Sequence, residues 1–174
     1  MTVERRAPGT VVGVRTPWWR GARGEWLVAG QITLMGAVAF GPRTVAGWTL
    51  WPFPFSPACR VLGTVAMLGG VALAIAGLVY LGRALTPLPY PRETAPLTQG
   101  GPFRFVRHPM YSGGLAVCFG WALHVQSGWT LLYAVALFVL LDVKSRREER
   151  WLADKFSAYA AYRKRVRKLV PFIY

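Results

Sequence analysis

"VLGTVAMLGGVALAIAGLVYL", residues 61–81, runs for 21 residues without a charged side chain. At a rise of about 1.5 Å per residue, a helix of this length crosses the roughly 30 Å hydrocarbon layer of a bilayer. A shorter apolar run lies at 26–40, and Asp142 is the one charge within residues 110–143. Because "VQSG" at 125–128 favours a turn, that last run predicts a hairpin of two helices, about 109–125 and 128–145.

These segments predict an all-α fold: a polytopic membrane helical bundle of about four transmembrane helices with a C-terminal cytoplasmic helical segment. We interpret residues 1–174 as a single integral membrane domain. Its cytoplasmic N-terminal tail is 1–25, and two N-terminal spans lie within 26–82. Small residues recur at helical spacing in the second span and would allow close helix packing, unless they only reflect a chain rich in Ala and Gly: Ala66, Gly70 and Ala74, with Ala72 and Ala76.

The charge distribution predicts how the helices are oriented. The chain is 53% hydrophobic and carries a net charge of +14. If both termini are cytoplasmic, all of the 21 Lys and Arg residues except Arg43 and Arg60 lie on the cytoplasmic side. The charge therefore indicates membrane topology and contact with anionic membrane lipids, and it requires no nucleic acid. High Arg, Ala and Gly content indicates a GC-rich bacterial genome, so the expected location is a bacterial inner membrane. The oligomeric state stays open.

The candidate site is the stretch "FRFVRHPMYSGG", residues 103–114, at the start of the third span. Pro109 suits the first turn of a helix, which leaves His108 near the N-cap beside free backbone N–H groups. An anion or a carboxylate-bearing ligand would be stabilised there. The predicted hairpin brings the end of the fourth span, with Glu148 and Glu149, to the same depth in the membrane.

Each of these residues also has a purely structural interpretation. His108 could be only a helix cap, and Arg104 and Arg107 could only anchor the helix at the membrane surface. The glutamates could serve ordinary i,i+4 pairing within a basic helix. Because neighbours on a helix point about 100° apart, we expect at most one glutamate to face the hairpin squarely. The two cysteines and two histidines lack metal-binding spacing, so the composition does not predict a metal site.

The sequence resembles the isoprenylcysteine carboxyl methyltransferase and phospholipid methyltransferase family of integral membrane enzymes. The resemblance rests on "LTQGGPFRFVRHPMYSGG" (97–114), followed one hairpin later by "EERWLADKFSAYAAYRKRVRKLVPFI" (148–173). It covers about residues 95–173, so 95–174 would be the cofactor-binding methyltransferase region.

The resemblance implies a methyl transfer from S-adenosyl-L-methionine. It assigns Ala95 to Thr98 to the stretch that lines the cofactor pocket and implies that the following residues bind the cofactor: Leu97, Thr98, Phe103, His108, Pro109, Met110, Tyr111, Glu148 and Glu149. Lys144 and Arg107 would lie on the acceptor side. No residue is assigned to catalysis beyond positioning by His108 and Tyr111.

Several positions depart from the family pattern. Phe103 stands where the family usually has Tyr, so one polar cofactor contact is lost. Ser157 replaces a Gly, and Arg167 replaces a Pro. Lys144 stands where some members have Arg, which removes a bidentate partner for a carboxylate.

The residue types suit the chemistry that the resemblance implies. A glutamate can pair with the cofactor's ammonium group, and His108 with nearby backbone N–H groups can meet its carboxylate. Phe103 and Tyr111 can pack on the adenine or the sulfonium. The acceptor would be a lipophilic or small molecule: the carboxylate of an isoprenylcysteine-like compound, a lipid or a thiol. An amine is disfavoured, because His108 is the one base at hand.

Two other functions stay open. A membrane reductase of the steroid-reductase type would bind NADPH and would need residues that hold phosphate, which the Arg-rich tail could supply. A non-catalytic four-span membrane protein would explain the spans and the charges. It would not explain why a histidine, a tyrosine and two adjacent acids are predicted at one depth.

Overall fold

The computed structural model describes residues 24–45, 47, 51, 56–82, 97–171 and 173–174. The predicted tail therefore lies almost wholly outside the described residues, as do Ala95 and Pro96 and parts of the loops around 41–57 and 83–96. Within the described residues the chain forms five α-helices: α1 (Glu25–Phe40), α2 (Pro57–Leu81), α3 (Pro109–Val125), α4 (Gly128–Lys155) and α5 (Tyr159–Arg165). A short 3-10 helix, Gly101–Arg104, precedes α3.

Local sequence explains where the helices begin. Ser56 caps α2 by accepting a hydrogen bond from the Ala58 N–H at 3.2 Å, with Pro57 in the first turn. Ser127 caps α4 in the same way through the Thr130 N–H at 3.3 Å. Gln126 ends α3 in the left-handed conformation, with φ of 51°. The predicted hairpin around "VQSG" is therefore confirmed.

α4 is longer than predicted. It continues for ten residues beyond position 145 and ends at Lys155. The charged segment after the apolar run stays helical because i,i+4 ion pairs such as Arg146–Asp142, at 2.7 Å, support it and no helix breaker follows. The two glutamates therefore lie on a rigid helix that is continuous with the apolar half of α4.

α2 and α3 pack as an antiparallel pair through glycine. The only buried residues of α2 are Gly63, Gly70 and Gly77, spaced seven residues apart. A methyl group on Gly63 would lie 2.4 Å from the Gly120 carbonyl oxygen, and one on Gly70 would lie 2.6 Å from that of Gly113. The prediction of close packing at Gly70 is thus confirmed, whereas Ala72 of the predicted set is exposed.

Two helices, α2 with 25 residues and α4 with 28, are long and apolar enough to cross a membrane. α1, with 16 residues, and α3, with 17, are shorter. α2 carries six aliphatic side chains that are each more than half exposed: Val61, Leu62, Val65, Leu68, Ile75 and Val79. A continuous exposed apolar surface of this kind is typical of a helix that faces lipid.

The order of packing places α4 between α1 and α3, with α2 on the far side of α3. The core where α1, α3 and α4 meet contains Val38, Leu115, Ala134, Leu137 and Leu141. After α5 the chain returns to the start of α3. The N–H groups of Arg107 and His108 donate to the carbonyls of Arg167 at 2.8 Å and Lys168 at 3.2 Å. The C-terminal segment thus fixes the backbone of the histidine motif.

Candidate functional site

His108 lies between two carboxylates at the start of α3. Its Nε2 is 3.2 Å from Oε1 of Glu149, and its Nδ1 is 3.6 Å from Oε2 of Glu148. The side chain of His108 is only 6% exposed. Only Glu149 is buried against His108, as expected for a pair of which at most one faces the hairpin squarely, but Glu148 also reaches the imidazole. Side chains 100° apart on α4 both reach the same imidazole because they meet its two opposite nitrogens.

Tyr111 completes this arrangement one helical turn along α3. Its hydroxyl donates to Oε2 of Glu148 at 3.1 Å. Its ring stacks on that of His108, with centroids 5.4 Å apart and planes inclined by 11°. The i,i+3 spacing of the histidine motif produces this stacking, because such residues share a helix face.

Glu149 is the more deeply bound of the two acids. Its side chain is 4% exposed, and Oε1 accepts a hydrogen bond from Nε of Arg107 at 2.8 Å as well as facing His108. Nε of Arg163 lies 3.6 Å from Oε2. Burial by itself would raise the pKa of Glu149, but the hydrogen bonds from His108 and Arg107 outweigh it and lower the pKa to about 2. Glu149 is thus charged at neutral pH and links α4 to α5 and to the start of α3.

Glu148 is engaged much less. Its side chain is 27% exposed. Within the described part of the chain its hydrogen bonding is confined to Tyr111, through Oε2, and Oε1 has no hydrogen-bond partner. A carboxylate with one free oxygen beside aromatic rings can still accept a ligand cation. The two adjacent acids therefore have different capacities: Glu149 holds the structure and Glu148 can bind a ligand.

Arg107 is held in place by its own donors. Besides Glu149, it donates through Nη1 to the carbonyl of Arg163 at 3.0 Å and to that of Val166. Its side chain is only 9% exposed. These contacts engage Nε and Nη1 of the guanidinium, so its predicted place on the acceptor side stays a prediction that the geometry does not favour.

Lys144 brings α1 into the site. Its Nζ donates to Oε1 of Gln31 on α1 at 2.6 Å and lies 5.1 Å from the centroid of the Tyr111 ring. Lys144 is 3% exposed. The sequence analysis found no specific role for the first helix and missed Gln31. The signal was present, since an amide within an otherwise apolar run needs a polar partner.

The remaining predicted residues surround this centre at different places. Leu97 packs on the cluster of Tyr159, Tyr162 and Val166, and Thr98 beside it is half-buried. Phe103 is buried, and its carbonyl accepts a hydrogen bond from the Tyr162 hydroxyl at 2.7 Å.

Pro109 and Met110 pack on α2. A methyl group on Gly77 would meet Cγ of Pro109 at 3.0 Å and Cγ of Met110 at 3.2 Å. The structure thus brings His108, Tyr111 and the two glutamates together, and it places Pro109 and Met110 against α2.

Tyr159 is a residue that the sequence analysis did not select. It is 1% exposed, and in the described part of the chain its hydroxyl has no hydrogen-bond partner. Burial, followed by the nearby charge of Glu149, raises the pKa of this hydroxyl. It therefore stays protonated, and among the described residues its O–H has no acceptor. Its pairing with Tyr162 in "YAAY" was the signal that could have found it.

Comparison with known proteins gives two findings. The model of the phospholipid methyltransferase family matches residues 58–159 of this chain. The match starts in α2, so the relationship extends further toward the N-terminus than the motifs at 95–173 indicated. The cobalt-zinc-cadmium resistance protein CzcN of Cupriavidus metallidurans is 30% identical over 112 residues, which are 64% of this chain and 50% of CzcN. The chain therefore aligns with half the length of that curated relative.

Proposed function

The chain belongs to the phospholipid methyltransferase family, and we propose that it is an integral membrane methyltransferase that uses S-adenosyl-L-methionine. The acceptor is a lipophilic or small molecule, reached from the cytoplasmic face. The observation that carries the proposal is Oε1 of Glu148, which has no hydrogen-bond partner among the described residues and lies beside the stacked rings of His108 and Tyr111.

The residues fit the charges of this cofactor, which has an ammonium, a carboxylate and a sulfonium. Glu148 would hold the ammonium, because its Oε1 has no partner in the part of the chain that the structure describes. The ring of Tyr111 already lies 5.1 Å from one cation, the Lys144 ammonium, so its surroundings accommodate positive charge. The buried hydroxyl of Tyr159, which has no partner within the described ranges, would supply a further donor. Leu97, Thr98 and Phe103 would provide the less polar lining.

When bound, the cofactor supplies an electrophilic methyl group. The protein's part is to position the reactants and to exclude water. Glu149 and Arg107 fix the orientation of His108, and Tyr111 orients the carboxylate of Glu148 through its hydroxyl. A carboxylate or thiolate acceptor needs no general base. Such an acceptor also suits Lys144, whose ammonium would stabilise its negative charge.

The membrane placement supports the same proposal. α2 and α4 are long enough to span the bilayer, and we infer that α1 and α3 span it with them at slightly reduced length. With both termini cytoplasmic, the starts of α3 and of the charged half of α4 lie at the cytoplasmic surface. A water-soluble cofactor can enter from that side, while a lipophilic acceptor approaches from the bilayer toward the Lys144–Gln31 pair.

The experiment is calorimetric binding of S-adenosylhomocysteine to the detergent-purified protein, with NADPH measured in parallel. We expect micromolar binding of S-adenosylhomocysteine and a loss of at least tenfold, or about 1.4 kcal/mol, in Glu148→Gln. Asp154→Asn is the matched control, because it removes an exposed carboxylate from the same helix. Its affinity should equal that of the unmodified protein.

The other outcomes separate the alternatives. Binding of NADPH without S-adenosylhomocysteine would replace the proposal by a reductase. Binding of neither compound would favour a non-catalytic membrane protein. Equal loss in Glu148→Gln and Asp154→Asn would show that the effect is general electrostatics, and would remove Glu148 from the cofactor site.

A further inference from the structure

A basic cleft of about 490 Å³ lies on the other side of Glu149, between the charged half of α4, α5 and the C-terminal segment. Among the described residues that line it, Glu149 is the one acid. The cationic lining residues are Arg107, Arg146, Arg150, Arg163, Arg167 and Lys168. Six cationic residues therefore line the cleft together with one acid. Glu148, the proposed cofactor-binding group, does not line it.

Three of these cations have a close acidic partner. Arg107 is paired with Glu149 at 2.8 Å. Arg146 pairs with Asp142 at 2.7 Å, and Lys168 contacts the other oxygen of that carboxylate. These three cations share two carboxylates, which leaves one net positive charge among them.

The other three guanidiniums keep free donors. Arg150 and Arg167 are exposed and have no side-chain hydrogen-bond or ion-pair partner among the residues that the structure describes. Arg163 is 62% exposed and touches Glu149 only at 3.6 Å. Three like charges gathered around one cavity repel each other, and a bound anion would relieve that repulsion.

We propose that this cleft is a binding site for a phosphate group. Guanidinium groups bind phosphate through paired, charge-assisted hydrogen bonds, and three of them can offset a phosphate charge of either one or two. The volume exceeds that of a bare phosphate and falls within the range of small-molecule sites. Leu141 is the last residue of α4 in the apolar core, and Arg150 follows it by nine residues, or about 13 Å of helix. With the apolar half of α4 in the bilayer, this distance puts the cleft at the depth of lipid headgroups.

Two sources can supply the same chemistry: the headgroup of an acidic phospholipid and soluble phosphate. Either occupant would compete with Glu149 for Arg163, which lies in contact range of both. Occupancy would therefore act on the Glu149–His108 contact. The site goes beyond the proposed methyl transfer and does not depend on it.

The test is calorimetric titration of the purified full-length protein in uncharged detergent with two probes, dihexanoyl phosphatidylglycerol and inorganic phosphate. The double variant Arg150→Gln, Arg167→Gln removes two free guanidiniums from the cleft. The control variant Arg104→Gln, Lys164→Gln removes the same charge from exposed positions that do not line it. We expect the first variant to bind at least tenfold more weakly and the control to change less than twofold.

The two probes identify the source. Variant-sensitive binding of the lipid alone assigns the site to a headgroup, and variant-sensitive binding of both probes at similar affinity assigns it to soluble phosphate. Equal loss in both double variants, or no binding of either probe, overturns the proposal. Thermal unfolding of both variants controls for folding. Affinity for S-adenosylhomocysteine should be unchanged in both, so failure here is distinguishable from failure of the proposed function.

Discussion

Two adjacent glycines on α3 should respond to the same substitution with opposite signs. A methyl group on Gly113 would lie 2.4 Å from the carbonyl oxygen of Gly70 and 2.7 Å from the backbone nitrogen of Ala74. A methyl group on Gly114 would meet nothing within 4 Å. Gly113→Ala must therefore separate α2 from α3, whereas Gly114→Ala adds a helix-favouring residue at no steric cost.

The magnitude follows from the contact. Ordinary contacts of a Cβ atom are 3.4–4 Å, so the helices must move apart by about 1 Å at Gly113, and the atom in the way is backbone that cannot rotate aside. Overpacking of this kind costs about 3 kcal/mol at its upper range. The intrinsic preference for Ala over Gly in a helix returns about 1 kcal/mol. Gly113→Ala should then destabilise by about 2 kcal/mol and Gly114→Ala stabilise by about 1 kcal/mol.

Thermal unfolding in uncharged detergent measures this difference. A gap of about 3 kcal/mol between the two variants corresponds to midpoints about 6–12 °C apart for a chain of this size. Gly70→Ala and Gly69→Ala form a second such pair on α2, because only the former meets α3. Equal midpoints for Gly113→Ala and Gly114→Ala would refute the glycine contact between α2 and α3.

Three further predictions concern single side chains. Tyr162→Phe should lower the free energy of unfolding by about 1–2 kcal/mol, because it leaves the buried carbonyl of Phe103 unsatisfied. Tyr159→Phe should change that free energy by less than about 0.5 kcal/mol, because the Tyr159 hydroxyl has no partner in the described structure. Gln126→Ala should lower the free energy of unfolding by about 2 kcal/mol, because the Gln126 amide both donates to and accepts from the backbone of Ser56 at 3.0 Å. An unchanged unfolding midpoint would contradict a stabilising role for these two hydrogen bonds. Since the pKa of Glu149 is lowered from 4.5 to about 2, the stability that its charge contributes should be fully present above pH 4.5 and be lost as the pH falls toward 2. A stability difference between the unmodified protein and Glu149→Gln that stays constant over that range would exclude the ionic tie.

The positions of the helices could be predicted from the sequence, because local sequence signals determine them. Apolar length located α2, and the turn at Gln126 and Ser127 located the hairpin. The hairpin in turn placed His108 near the glutamates, which depends only on two helices of similar length. The end of α4 was missed, because a charged segment can be either helix or loop and only its ion pairs decide.

Contacts between distant segments were the part that the sequence did not reveal. The Lys144–Gln31 hydrogen bond joins residues 113 positions apart. The return of the C-terminal segment onto the histidine motif depends on Tyr162 and Arg107, neither of which has a local pattern that names its partner. The different states of Glu148 and Glu149 follow from these same long-range contacts, since the two residues are identical and adjacent.

The continuity of α4 has a consequence for how proteins with this arrangement can vary. One inserted residue between Leu141 and Glu148 would turn everything after it by about 100° and shift it by about 1.5 Å. Arg147 would then take the place of Glu148, and Glu148 that of Glu149. The carboxylate beside Tyr111 and Nδ1 of His108 would be lost, although both glutamates would still be present in the sequence. Insertions and deletions should therefore be rare inside this stretch of α4 and common between helices, so that the number of residues here is preserved more strictly than their identity.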